Sequence, residues 1–440
     1  MTNTKNGRDI SLAGALSIGI GGMVGGGIFA VLGLAATLGG GATPIAFLIA
    51  GFVALLTAYS YARLSVAFPS RGGTVIFIDK AFGVSFLAGS ANNLLWISYI
   101  VALALYAVAF GNYAATFFSQ QPSQTLLHIL ISAGILIPAV LNLLSAELIS
   151  KTETFVVFIK LAILVAVIIF GIKGIDSANL APGTWEPWPQ IVAAGMLIFI
   201  AYEGFELIAN AAEDVKDYKK TLPRAFFGSV VFVIILYVLI AVVTVGTLSP
   251  QQIQQAADYA LAQAAKPSLG QIGFTLVAVS AVLATFSAIN ATLYGSARLS
   301  YVIAREGELP AVIERKVWRQ PIVGLLITVV LALFLANFFN LENISTMGSA
   351  GFLIIFAIVN AANFAEAKAI GSSRLLAGLG VLACLGALAV LIWRTFTTNP
   401  SGVLILLGMV GLAVAIELLY IRFFRHPDKA VRVGSDSPQA

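Results

Sequence analysis

The sequence predicts an all-α membrane protein with twelve transmembrane helices, the first and sixth of them discontinuous. Three observations carry that expectation. Of 440 residues, 59% are hydrophobic and only 10% charged, whereas a soluble domain carries roughly 25% charged residues. So few charges cannot clothe a water-facing surface, and the surface must meet lipid instead. Apolar runs of about 20 residues, the length that crosses a bilayer core as a helix, recur along the chain. The basic residues then fall almost entirely on one side of the map that those runs define.

The runs lie at 11–34, 43–67, 85–117, 125–143, 152–172, 191–212, 222–246, 271–303, 321–337, 342–362, 372–393 and 401–421. Residues 1–10 are polar and lack a cleavable signal pattern, so the first run is expected to start insertion itself. The third and eighth exceed the hydrocarbon thickness and call for tilt or an extension into water. With the N-terminus inside, 21 of the 25 Lys and Arg residues fall on inner segments, from Lys5 and Arg8 to Arg432 in the 422–440 tail. Lys173, Lys266 and Arg394 fall outside, and Lys160 falls within a run. This asymmetry satisfies the positive-inside rule for cytoplasmic termini and an even number of spans, and predicts a multi-pass protein of the plasma (inner) membrane.

Several function classes drop out on composition. The net charge of +5 and pI near 9.2 record topology, so no nucleic-acid partner is expected. One cysteine, Cys384, and two histidines, His128 and His426, leave no disulfide and no metal-ligand set. No catalytic cluster is visible, and His128 has no evident partner. Trp185 and Trp188 read as interfacial anchors. A channel is disfavoured because no charged ring or repeated filter loop appears.

Two runs do not read as continuous helices. Gly19–Gly27 holds six glycines in nine residues, each costing roughly 1 kcal/mol against alanine in a helix. Either Gly21 and Gly25 serve close helix packing, or Gly25-Gly26-Gly27 unwinds the helix where it lines a cavity. No Lys-Ser/Thr follows, which excludes a P-loop. In the sixth run Glu203 stands beside Gly204 at a depth where a bare carboxylate is costly. It serves a substrate or faces a watery vestibule; Glu206 reads as vestibular only.

The two interruptions stand five runs apart, so their helices cross in opposite directions. That is the inverted-repeat pattern of secondary transporters. It makes 11–172 and 191–362 the two repeats, with 372–421 supplying two further helices. N–H groups at the start of the outer half of run one, around Gly26, Gly27 and Ile28, suit a carboxylate. Carbonyls near Ile200, Ala201 and Glu203 suit an ammonium group. Together they fit a zwitterion, and the commonest small one is an α-amino acid.

Lys160 lies about eight residues, roughly 12 Å, from the inner end of its run. It either snorkels along a protein-lined path or is buried and exchanges a proton during transport. Carbonyls near Gly21 and the hydroxyls of Thr285 and Ser287 are its candidate partners.

Five segments then acquire a familiar form: Met23-Val-Gly-Gly-Gly-Ile-Phe29; Tyr61-Ala-Arg-Leu with Phe68-Pro-Ser-Arg-Gly-Gly73; Ala201-Tyr-Glu-Gly-Phe-Glu206; Ala212-Glu-Asp-Val with Leu222-Pro-Arg-Ala225; and Ala297–Pro310. On these, over most of 11–320, the chain resembles the amino acid–polyamine–organocation (APC) superfamily, particularly its prokaryotic proton-coupled amino acid transporters. The resemblance implies a LeuT-like five-plus-five inverted-repeat core with two appended helices. It implies carboxylate binding at Gly25, Gly26 and Gly27, and α-amino binding by carbonyls of Val24, Ile200, Ala201 and Glu203. It further implies an occluding gate at Phe205 and a coupling lysine at Lys160, standing where sodium-coupled relatives hold sodium. The expectation is therefore amino acid import by proton symport, with no cofactor and no sodium requirement. An exchanger on the same fold is the alternative. Two residues depart from the pattern: Glu203 stands where an apolar residue is frequent, and Arg63 where an acidic one is.

Overall fold

Helix breakers and caps divide the chain at the ends of the apolar runs. The computed structural model describes residues 9–119, 121–144, 146–317 and 320–423. Lys5, Arg8, Arg319, Arg425, His426, Lys429 and Arg432 lie outside the described residues. Ser11 caps α1 (Leu12–Met23), its side chain accepting the Gly14 N–H at 3.3 Å. The glycine run ends that helix, and α2 (Gly27–Gly39) starts at its far side. Helix α3 (Thr43–Ala67) opens with Pro44 in its first turn, where a missing N–H costs nothing. A short α4 (Thr74–Phe82) leads to α5 (Phe86–Ala115), capped by Ser85. Next come α6 (Gln124–Leu144) and α7 (Ala146–Gly171).

The second half repeats this rhythm. Helix α8 (Trp188–Leu197) gives way to two 3-10 stretches, Phe199–Tyr202 and Phe205–Asp214, before α9 (Tyr218–Thr247). A capping box at Ser249 and Gln252 starts the short α10 (Pro250–Gln255). Helix α11 (Ala260–Arg305) bends at Gly270, whose φ of 62° favours glycine. The eighth run, 271–303, lies wholly beyond that bend, and the segment before Gly270 is a separate piece. A two-residue ribbon at 316–321 precedes α12 (Ile322–Phe338). Helices α13 (Leu341–Glu366), α14 (Arg374–Thr398) and α15 (Pro400–Phe423) complete the described chain.

Nine helices among the described residues are long and apolar enough to cross a membrane, or eleven if each bent pair counts as one span. The bent pairs are α1 with α2, at 48°, and α8 with Phe199–Asp214, at 51°. Helix α12 is apolar but shorter. Helix α5 runs through the centre, with 94% of its apolar window buried, whereas α14 and α15 bury 28% and form the rim. Phe338, Leu382 and Leu404 project outward at 75%, 68% and 71% exposure. Such residues on a water-facing rim would invite aggregation; lipid is their natural solvent.

Polar side chains join helices within this apolar body. Asn360 of α13 accepts from Ser60 at 2.6 Å and donates to Thr57 at 3.0 Å, both on α3. It also reaches Cys384 of α14 at 3.6 Å. Asn142 of α6 donates to Asn290 of α11 at 2.6 Å. Links of this kind contribute around 0.6 kcal/mol each in lipid. His128 does have a partner, contrary to the sequence reading: its Nδ1 lies 2.8 Å from Asn337 Oδ1 of α12. Arg63 donates to the carbonyls of Ile370 and Gly371 beyond α13. Trp188 is exposed, and Trp185 is a brace, donating to the Leu180 carbonyl at 3.0 Å.

Candidate functional site

The two interruptions meet at one point. Gly22 and Gly204 touch backbone to backbone: a Cβ on Gly22 would stand 2.6 Å from the Gly204 carbonyl oxygen. One on Gly204 would stand 2.4 Å from the Gly22 carbonyl carbon. Gly204 also holds φ at +117°, which disfavours any side chain. Four residues on along the first helix, Gly26 carries the ring of Tyr106, whose Cδ1 lies 2.5 Å from where a Cβ would be. Gly27 packs on Ala201, with 3.0 Å between a built Cβ and the Ala201 Cα. The glycine run thus serves both readings left open by its sequence, since the helix is broken there and another chain segment approaches it closely.

Backbone groups freed at the second break find specific partners. The hydroxyls of Ser345 and Ser349 on α13 both donate to the Leu197 carbonyl at 2.7 Å. Ser349 also accepts the Ile200 N–H at 3.0 Å. The Ile200 carbonyl accepts the Glu203 N–H at 3.1 Å. Tyr237 of α9 spans both breaks, its hydroxyl lying 2.7 Å from the Met23 carbonyl and 3.2 Å from that of Ala201. At the first break no side chain caps α2, so the N–H groups of its first turn have no capping partner, and the Tyr106 ring lies over Gly26.

A cavity of about 600 Å³ ends against this crossing. Gly21, Gly22, Tyr99, Tyr106, Lys160 and Glu203 surround its inner end, and Ser287 and Ala288 of α11 close one side. Gly14, Gly72, Asn210 and Leu299 line it toward the end of the molecule where α1 begins. Lys160 is buried at 2% exposure, about 21 Å along α7. Its Nζ donates to the Gly21 carbonyl at 3.1 Å. Glu203, 5% exposed, accepts from the Tyr106 hydroxyl at 2.6 Å. Among the described residues no Lys, Arg or His forms an ion pair with Glu203 or Glu206.

Several residues singled out from sequence lie elsewhere. Val24, Gly25, Gly26, Gly27, Ile200 and Ala201 are buried beyond Tyr106 and Glu203 and do not line the cavity. Phe205, read as an occluding gate, is fully buried and away from it. Its ring packs against Tyr61, Phe226 and Phe356, at 5.5, 6.5 and 5.3 Å between centroids. Glu206 is not vestibular: at 1% exposure it accepts the Tyr99 hydroxyl at 2.9 Å and the Gly204 N–H at 2.8 Å, stapling the turn. The Thr285 hydroxyl donates to Ala281 and Val282 of its own helix.

Tyr99, Tyr106 and Tyr237 were missed. Tyr99, Tyr106 and Tyr113 recur every seven residues on α5, so all three rise on one helix face. That spacing was the available signal.

An almost wholly helical, lipid-facing body with two broken helices crossing at the head of a cavity has the form of a multi-pass membrane transporter. Comparison with known proteins assigns it further: residues 10–420 match the amino acid permease family, and the chain belongs to that family, within the APC superfamily. It is 33% identical to the inner membrane transport protein YbaT of Escherichia coli, over 96% of this chain and 99% of that protein. It is 31% identical to the human large neutral amino acids transporter small subunit 2, over 70% and 59%. The methylthioribose transporter of Bacillus subtilis shares 25%, over 81% and 80%.

Proposed function

We propose that this transporter imports amino acids by proton symport, alternating access through a five-plus-five inverted-repeat core. In this reading α12 is a full span, the total is twelve, and both termini are cytoplasmic. Helices α3 and α9, the second and seventh spans, pack along one another, as do α5 and α11, the third and eighth. Partners five spans apart are what two inverted repeats produce. The excess of basic residues supports a cytoplasmic position for the end where α1 begins, and in this reading the cavity faces inward. The likeness to a human large neutral amino acids transporter subunit supports amino acids as cargo.

The observation that carries proton coupling is the Lys160–Gly21 bond beside the first break. A buried ammonium whose hydrogen bond falls on an unwound helix ties a movable proton to a movable segment. The protonated lysine would hold α7 to α1, and its deprotonation would release them. No sodium and no cofactor is required.

Reconstitution in vesicles tests this. An acidic exterior should drive leucine accumulation into empty vesicles by the wild type, and Lys160→Ala should abolish it. Accumulation by Lys160→Ala with the same pH dependence would remove the lysine from coupling. Uptake by the wild type only into preloaded vesicles would make it an exchanger.

A further inference from the structure

The cation end of the proposed amino acid site needs re-reading, because two of its carbonyls are already engaged. Ile200 O accepts the Glu203 N–H at 3.1 Å, and Ala201 O takes the Tyr237 hydroxyl at 3.2 Å. Both residues are buried away from the cavity. Glu203, by contrast, lines the cavity, and its carboxyl group accepts from the phenol of Tyr106, which lines the cavity too. Behind it stands a second carboxyl, Glu206, held by Tyr99 and the Gly204 N–H. Two acidic side chains three residues apart, with no basic partner among the described residues, need a proton or one other positive charge between them, and an ammonium can supply it.

We infer that the Glu203 carboxylate, in place of backbone carbonyls, takes the ammonium group of the substrate, exchanging its Tyr106 hydrogen bond for an ion pair. This rests on the cavity being an amino acid site. A charged acceptor binds an ammonium more strongly than a carbonyl does, since charge-assisted hydrogen bonds are roughly twice as strong. The position suits a zwitterion: Ala201, two residues before Glu203, packs on Gly27 at the start of α2. The same Tyr106 ring that bonds Glu203 covers Gly26. An arriving ammonium therefore displaces the phenol and uncovers the N–H groups that suit the carboxylate. Recognition of the amine and opening of the anion site become one event.

Titration calorimetry on the purified full chain tests the exchange with three probes. Leucine carries both charges, 3-methylbutylamine is leucine without its carboxylate, and N-acetylleucine has no charge on nitrogen. The wild type should bind the first two and not the third. Glu203→Gln should weaken leucine at least tenfold and lose the amine. Tyr106→Phe, which frees Glu203 of its competitor, should bind leucine more tightly. Leucine affinity within twofold of wild type in Glu203→Gln would overturn the inference and leave the amino acid reading intact. A wild type that binds no amino acid would instead remove the reading beneath it. If Glu203→Gln does not fold, Tyr106→Phe decides, and unchanged or weaker leucine binding there overturns the inference.

Discussion

Tyr237→Phe isolates the one hydroxyl that spans both breaks. The ring itself is fully buried, 5.8 Å from Phe47 and 5.3 Å from Tyr202 between centroids, and phenylalanine keeps that packing. What disappears is a single O–H lying 2.7 Å from the Met23 carbonyl and 3.2 Å from the Ala201 carbonyl. Leaving a buried acceptor short of its donor costs about 1–3 kcal/mol, or a factor of about 5 to 150 in the folding equilibrium. Tyr202→Phe is the control. Its hydroxyl donates to Phe47 at 2.8 Å, on the uninterrupted α3, so it removes a buried bond of similar strength that ties the second break to α3 and leaves the link between the two breaks in place. Thermal melts should fall comparably for both variants, while leucine affinity should fall for Tyr237→Phe alone. Wild-type melting of Tyr237→Phe would refute the brace, as would equal loss of leucine affinity in both variants.

Gly26→Ala places a methyl 2.5 Å from the Tyr106 ring, so ring or helix must move, at about 1–3 kcal/mol. Gly295→Ala, inside α11 on the cavity wall with nothing within 4 Å, should melt at or above the wild type, and equal melting of both would show that the Tyr106 contact yields freely. Asp79 of α4, outside the spans, has its carboxyl raised to about 7, chiefly by burial, against a lowering bond from Asn92 and with a further rise from Glu306. A raised carboxyl binds its proton more tightly folded than unfolded, so its stabilising contribution is full below the ordinary value near 3.8 and is lost as pH rises through about 7. Asp79→Asn should flatten the decline in melting temperature across that window; an unchanged slope would assign it to another group.

The apolar runs were legible because a bilayer sets their length, and the breaks because glycine clusters and a mid-span carboxylate are costly there. Facing was not legible. Helix α5 is buried on nearly every side, so no amphipathic stripe marks the face that carries Tyr99 and Tyr106. Phe205 lies away from the cavity for a local reason. It follows Gly204, whose φ of +117° turns the chain, so its ring points into the aromatic cluster with Tyr61 and Phe356 instead of the cavity. The same turn brings the Glu206 carboxylate back onto the Gly204 N–H. His128 and Asn337 are 209 residues apart, and no local pattern signals such a pair.

The crossing of the two breaks has a consequence for coupling under the proposed mechanism. Lys160 holds Gly21, and Glu203 precedes Gly204; the next residue on one strand, Gly22, touches Gly204 on the other. Proton and ammonium therefore act on adjacent residues of two backbones that have no side chain between them. A flexible side chain at this contact would absorb a shift by changing rotamer. Glycine against glycine cannot, so a displacement of Gly21 is passed to Gly204 as backbone movement. Tyr237 ties the neighbouring residues Met23 and Ala201 into the same unit. Coupling requires that each ligand favour the same one of two arrangements, and two strands fastened at successive residues have few ways to move apart. The glycines are needed here for contact as much as for unwinding, and a loop that was merely flexible would unwind without transmitting anything.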